Sequence, residues 1–290
     1  MTTGNTITGS LADSLPTIIS SARIVREQEG VMPQLVEKVT LGEGIGLTWN
    51  EVSYAQLSAQ EVTETTELDN PQQLSDSLFT VTPTQIGIET VITDRVAARI
   101  TKMGYAKLGA LAQNAMQRKK DKDGLVILDG FSNSYCGAGN SLTSGHIGSA
   151  VALIKGNETE PGKDPIRCVL HSYQIHDIED EITAATGTYE LTEGLTARVF
   201  TEGYRGKVNT AQIFEDGNIT ADTNDDGIGG VFAQEAIVLV QGRAPRAVAV
   251  RDESLGGGAT KVYHYDEFAY GTRLDFWGVE LKSDMTVPTS

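Results

Sequence analysis

The spacing of apolar positions changes along the chain, and each change marks an element. Leu47 and Trp49, then Val52 and Tyr54, alternate with polar neighbours, with a phase slip between the pairs. Phe79 and Val81, then Ile86 and Ile88, do the same around Pro83. Alternation with a period of two is the pattern of a strand with one buried face. The polar segment from Ser58 to Ser77 lies between the two runs and carries an Asn70-Pro71 turn signal. Together they predict one long antiparallel hairpin with an acidic tip. A two-stranded ribbon is marginal in water by itself, so this one is expected to lie on a further surface, that of another copy of the chain.

From Asp94 the spacing becomes helical. Val96, Ile100, Met103, Leu108, Leu111 and Ala115 form an apolar stripe that predicts a continuous helix over 94–120. Asp94 would cap its start, and Arg118, Lys119 and Lys120 would suit the negative end of its dipole. Lys107 interrupts the stripe, and Gly104 and Gly109 each weaken the helix by about 1 kcal/mol. At ~1.5 Å per residue it would be about 40 Å long, a spine along which other elements pack.

Beyond a Gly/Ser-rich stretch from Phe131 to Ser144, the pattern predicts a helix over Ile147 to Ile154 and a loop over 157–165. A strand through Ile166, Cys168 and Leu170 follows, then a helix with Ile175, Ile178 and Ile182 on one face. Residues 187–230 read as short strand-like pieces between Gly, Asp and Asn. Four later strands are expected at Ala236–Val240, Ala247–Val250, Val262–Tyr265 and Phe276–Leu281. Residues 1–38 hold two short apolar patches without a sustained period, which predicts an extended arm with at most one short helix. No internal repeat is visible.

Composition narrows the class. With 39% hydrophobic and 21% charged residues in 290, the chain can form a core and is neither disordered nor collagen-like. Its formal net charge of -16 argues against a free DNA binder and against an anionic membrane surface. No apolar run approaches the ~18 residues of a membrane-spanning helix. Met1 to Ser10 is polar and unlike a signal peptide, so translation is expected to start there. Two cysteines, Cys136 and Cys168, are too few for a disulfide framework, and a reducing compartment fits best. The charge is also segregated: 39–94 has nine acids and no base, whereas 95–122 has eight bases and one acid, Asp121.

No catalytic constellation stands out. Cys168, His171 and His176, with Asp177 and Asp180 nearby, are ligand types that zinc favours. They make only half a motif across a strand-to-helix change, and the plain reading is a buried cysteine with histidines on a helix surface. Asp222, Asn224, Asp226 and Gly227 match the start of an EF-hand loop, but Ala233 stands where the bidentate Glu belongs, so an ordinary turn is expected. Gly42, Gly44 and Gly46 precede no helix that could hold a phosphate and read as a hinge. Cys136 beside Gly137 is a lone thiol and reads as structural. No catalytic residue, cofactor or metal site is therefore expected.

The order of elements is more telling than any of these short motifs. An extended arm, a long acidic hairpin, a long helix, a strand-helix insert and a final run of strands resemble the tailed-bacteriophage major capsid protein, the Hong Kong 97-like fold. Local stretches resemble it too: Ile92 to Arg95, Cys168 to Ser172, Gly206 to Glu215, Ala236 to Val240, and Tyr265 to Gly271 through Leu281. The resemblance implies an α+β chain with an N-terminal arm (1–40), an extended loop (41–88), a peripheral domain (89–155 and 236–290) and an axial domain (156–235). It implies a non-enzymatic shell subunit, built as hexamers and pentamers into an icosahedral head around double-stranded DNA that it does not bind specifically. The virion would be its location, after assembly in the host bacterial cytoplasm. Partners would be other copies, a separate scaffolding protein or none, a portal, and in some cases a decoration protein; no membrane is involved. Some members cross-link a loop Lys to a neighbour's Asn; the loop here has no Lys. The charge segregation marks candidate inter-subunit contacts: Glu61, Glu64, Glu67 and Asp69 on the loop, against Arg95, Arg99, Lys102, Arg118, Lys119 and Lys120, with Lys122 beside them. An encapsulin-type compartment shares the fold and differs in enclosing enzymes. A β-rich hydrolase or lectin would instead need a ligand pocket and a small oligomer.

Overall fold

The structure, a computed structural model, describes residues 27–28, 30–42, 44, 46–59, 61–65, 71–98, 102–184, 206–255 and 257–288, with backbone alone at 102–108 and 182–184. Most of the predicted arm and the strand-like pieces expected over 187–205 lie outside the described residues. Two larger sheets and a ribbon organise the rest.

The first sheet has four strands in the order β1-β10-β11-β4. The arm's last residues form a short helix, α1 (Met32–Leu35), and lead into β1 (Glu37–Thr40). β1 pairs in parallel with the first residues of β10 (Ile237–Asp252). β10 pairs antiparallel with β11 (Ala259–Thr272), and β11 with β4 (Thr84–Thr93). Sequence pattern predicts two strands where β10 is one of 16 residues. Gly242 and Pro245 lie between the two predicted strands, and the sheet absorbs them as shifts of register between Gln241 and Arg246. Proline is tolerated there because β1 reaches only to Gln241, so Pro245 sits where β10 has no outer neighbour among the described residues.

The second sheet has six strands in the order β5-β12-β9-β6-β8-β7. These are β5 (Ser134–Cys136), β6 (Ile166–Leu170), β7 (Lys207–Val208), β8 (Ala211–Glu215), β9 (Asp226–Ala233) and β12 (Gly278–Asp284). On one face lie α4 (Ser144–Lys155) and α5 (Ser172–Ala184). Ile147, Val151 and Ile154 of α4 meet Ile166, Cys168 and Leu170 of β6 with Val231 and Leu281. On the other face Val169 and Phe232 meet Leu125, Leu128, Ile237 and the arm's Met32 and Leu35. Hydrogen bonding therefore groups the elements differently from the expected 156–235 boundary. β5 and β12 belong to the six-stranded sheet and α4 packs on it, although the resemblance implies a peripheral domain for their residues. The reason is long-range: β12 has its partners at 226–232 and 134–136, pairings that local spacing does not encode.

The spine departs from expectation at both ends. The described residues hold a short helix α2 (Asp94–Ala97) and a longer one, α3 (Lys102–Val126), with 99–101 outside the described residues. Asp94 does not cap it; no side chain does. The Asp94 carboxylate instead takes two hydrogen bonds from the Arg251 guanidinium near the tip of the β10–β11 hairpin, which lowers its pKa. Arg118 to Lys120 do not close α3, which runs on to Val126 because Leu125 still faces the core.

Candidate subunit-contact surfaces

The ribbon consists of β2 (Trp49–Tyr54) and β3 (Asp76–Val81), paired antiparallel from Trp49↔Val81 to Tyr54↔Asp76. Ile86 and Ile88, expected in the same hairpin, lie in β4 of the four-stranded sheet, because the chain turns between Val81 and Thr84. The ribbon's root is fastened to that sheet. Trp49 and Phe79 meet edge to face at 5.9 Å and, with Val81, pack against Val238 and Val240. Arg273 forks to Glu51 and Glu37, both at 2.7 Å.

Past the root the two faces diverge. Val52 and Leu78 are direct cross-strand partners on the face opposite Trp49, and they are 47% and 64% exposed. Tyr54, two residues on from Val52 along β2, is 70% exposed, and Leu57, Val62 and Leu74, beyond the paired strands, are exposed as well. Exposed apolar groups gathered this way mark an interaction surface, unlike single scattered ones. The sequence pattern already set Val52 and Tyr54 on one face of a ribbon expected to lie on another copy, but Leu78 was not placed with them; its neighbour Phe79, which must point to the opposite side of one strand, was the available signal.

The predicted contact residues fall into different settings. Glu61 and Glu64 are exposed near the ribbon's tip, while Glu67, Asp69 and Arg99 lie outside the described residues, as does the side chain of Lys102. Arg95 and Lys122 are exposed. Arg118 pairs with Glu27 of the arm at 3.0 Å, and Lys119 with Asp123 one turn on. Lys120 is a correction: it is 6% exposed, its ammonium donates to Asp266 (3.0 Å) and Gln241 (2.7 Å), and it lies over the Phe268 ring. It holds α3 to the four-stranded sheet and has no face left for a neighbour.

The candidate chemistry resolves into structure. The Cys168 thiol is fully buried, which pushes its pKa up. His171 Nδ1 accepts the Tyr173 N–H, and His176 faces Asp180 at 3.6 Å. Among the described residues no three His, Cys, Asp or Glu side chains gather as a metal site would need. Asp222 accepts the N–H groups of Asn224 and Asp226, the pattern of an Asx turn. Asp226 itself is buried and accepts the Gly139 N–H at 2.7 Å. The Cys136 thiol lies within 3.4 Å of the carbonyls of Asn140 and Ser141; burial raises its pKa, and Asp177 and Asp226 add to the shift, which disfavours a thiolate nucleophile. A cavity of about 250 Å³ between α3 and the 218–228 segment is lined by Lys122, Leu125, Ile219, Thr220, Asp222 and Asp226. No helix among the described residues is long and apolar enough to cross a membrane.

No protein-family model matches the chain, and no curated protein matches it in sequence. Solved structures do match. The capsid of the cyanophage P-SCSP1u superposes with a TM-score of 0.73 at 13% identity, over 96% of this chain and 95% of that one. The Mycobacterium phage Che8 structure gives 0.71 at 16%, over 92% and 96%. The head of Helicobacter pylori bacteriophage KHP40 gives 0.71 at 12%, over 93% and 95%. The chain has the Hong Kong 97-like capsid fold. The match covers more than nine-tenths of both chains, so the ribbon, the long helix and the two sheets belong to one fold. At these identities the match carries the fold and not the individual contact residues.

Proposed function

We propose that this chain is the major capsid protein of a tailed double-stranded DNA bacteriophage, the subunit that builds the icosahedral head as hexamers and pentamers. The observation that carries this reading is the end-to-end match, over nine-tenths of both chains, to capsid and head structures. The ribbon supports it physically, since its apolar face of Val52, Tyr54 and Leu78 has no partner within the described part of its own subunit. In a shell that face lies on a neighbouring copy, and the acidic tip (Glu61, Glu64, Glu67, Asp69) meets basic residues there: Arg95, Arg99, Lys102, Arg118 and Lys119. Lys120 is left out because its charge is satisfied internally. Exposed pairs contribute only about 0–1 kcal/mol each, so the apolar face supplies adhesion and the charges set register.

In this reading the chain is structural rather than enzymatic, resides in the virion, and is assembled in the host cytoplasm. A scaffolding protein, a portal and a decoration protein are its expected partners, with DNA packed inside an acidic wall that does not grip phosphate. Electron microscopy of the expressed chain, with and without a candidate scaffolding protein, is the test. Closed shells of uniform size support the proposal. A stable monomer under all salt conditions, or particles that copurify with enzymes rather than nucleic acid in infected cells, overturns it.

A further inference from the structure

The arm does not merely lie on the body; its base is held by two buried carboxyls. Asp121 of α3 and Asp216, just after β8, are both fully enclosed. Asp121 Oδ1 accepts the Met32 N–H at 3.0 Å, and its Oδ2 accepts the Asn218 side-chain amide at 2.9 Å. Asp216 accepts the Asn218 N–H at 2.9 Å and, at a longer 3.4 Å, the Val31 N–H. Asn218 therefore bonds to both, its side-chain amide to Asp121 and its own N–H to Asp216, which sets the two carboxyls close together. Two buried carboxylates this close repel each other when both are charged, which favours a single proton held by the pair.

Among the described residues no cation pairs with either carboxyl. On α3, Arg118 is paired with Glu27 of the arm, Lys120 with Asp266, and Lys119 with Asp123. Lys122 is exposed and faces the cavity beside Asn218. From the β6–α5 junction His171 stands near Asp216 and Glu215, its pKa lowered by burial. From β11, Tyr270 presents a buried hydroxyl without a hydrogen-bond partner among the described residues. Burial first, and the charge of Asp216 second, push Asp121 up to about 7.

The arm is also threaded tightly here. A Cβ on Gly30 would come within 2.2 Å of the Asp121 carboxyl carbon, and one on Gly124 within 2.9 Å of the Met32 Cβ. Met32 itself is fully buried.

We propose that Asp121 and Asp216 form a one-proton clasp that locks the base of the N-terminal arm against α3 and loosens it when the proton leaves. The sign follows from linkage: a carboxyl whose pKa is raised in the closed state favours closure at low pH. That preference is complete below the ordinary carboxylate range, weakens through the interval up to about 7, and is gone above it. Each pH unit in that interval changes the opening equilibrium about tenfold at most. The charged clasp would still have its N–H donors, so the arm loosens at its root while the body stays folded.

The test is amide hydrogen exchange on the full chain at about pH 5.5 and pH 8, corrected for intrinsic exchange rates, comparing Val31 and Met32 with Val231 in β9. Expected is a fall of at least about tenfold in protection at Val31 and Met32 at the higher pH, with Val231 unchanged. Asp121→Asn and Asp216→Asn each remove the shared proton's titration and should flatten the difference; if one variant fails to fold, the other carries the comparison. Equal protection at both pH values in the parent chain, or a pH step that survives in the Asn variants, overturns the proposal.

Discussion

β6 and β2 are strands of five and six residues, both rich in apolar side chains, with opposite fates. β6 is flanked by β8 and β9 and covered on both faces, so Ile166, Cys168, Val169 and Leu170 are all excluded from water. β2 has one partner, β3, and only its root face is covered, leaving Val52 and Tyr54 in solvent. The first strand satisfies its apolar groups within the chain. The second leaves its apolar groups uncovered among the described residues. Stability of the subunit and competence to assemble should therefore reside in different residues.

That separation can be broken most strongly from the inside. Phe232→Ala removes a fully buried ring from the middle of the six-stranded sheet and should destabilise the subunit by about 3–5 kcal/mol, read as a lower midpoint of chemical unfolding. Arg273→Ala strikes the seam between the regions, where one guanidinium serves Glu51, Glu37 and the Glu235 carbonyl. A loss of about 1–3 kcal/mol is expected, with faster proteolysis in the ribbon than in the sheet. If cleavage is no faster there, the ribbon is not hinged on this arginine.

Val52→Ser with Leu78→Ser should leave subunit unfolding within about 0.5 kcal/mol of the parent, because both side chains are already exposed. Shell yield should nevertheless fall to background by light scattering. Normal shells from this variant would show that the apolar face is not the adhesive one. Reversing Glu61 and Glu64 to Lys is a smaller change, expected to slow assembly and alter its salt dependence without abolishing it, with partial rescue by Lys119→Glu. An unchanged salt dependence would leave the acids as solubilising groups only. Finally, assembled particles boiled in SDS should run as one band near 31.0 kDa, since 39–94 contains no Lys to begin an isopeptide ladder.

Much of this architecture was written in local spacing. Alternation announced β2, β3 and β6, and helical spacing announced α3, α4 and α5, because each of these elements buries one face or both and its residue types must repeat accordingly. The order of those elements was enough to suggest the shell fold. What spacing could not carry was partnership across long stretches of chain. It did not reveal that β12 joins β5 and β9 rather than its sequence neighbours, or that β10 continues through Gly242 and Pro245. It presented Lys120 as one of a surface cluster, whereas Asp266 and Gln241, more than a hundred residues away, draw it inside. It presented Asp121 as a lone acid among bases, whereas folding sets it against Asp216 and the arm. Periodicity records which face of an element avoids water; the identity of the surface that covers that face, and the protonation state of a carboxyl buried beneath it, exist only once distant segments are brought together.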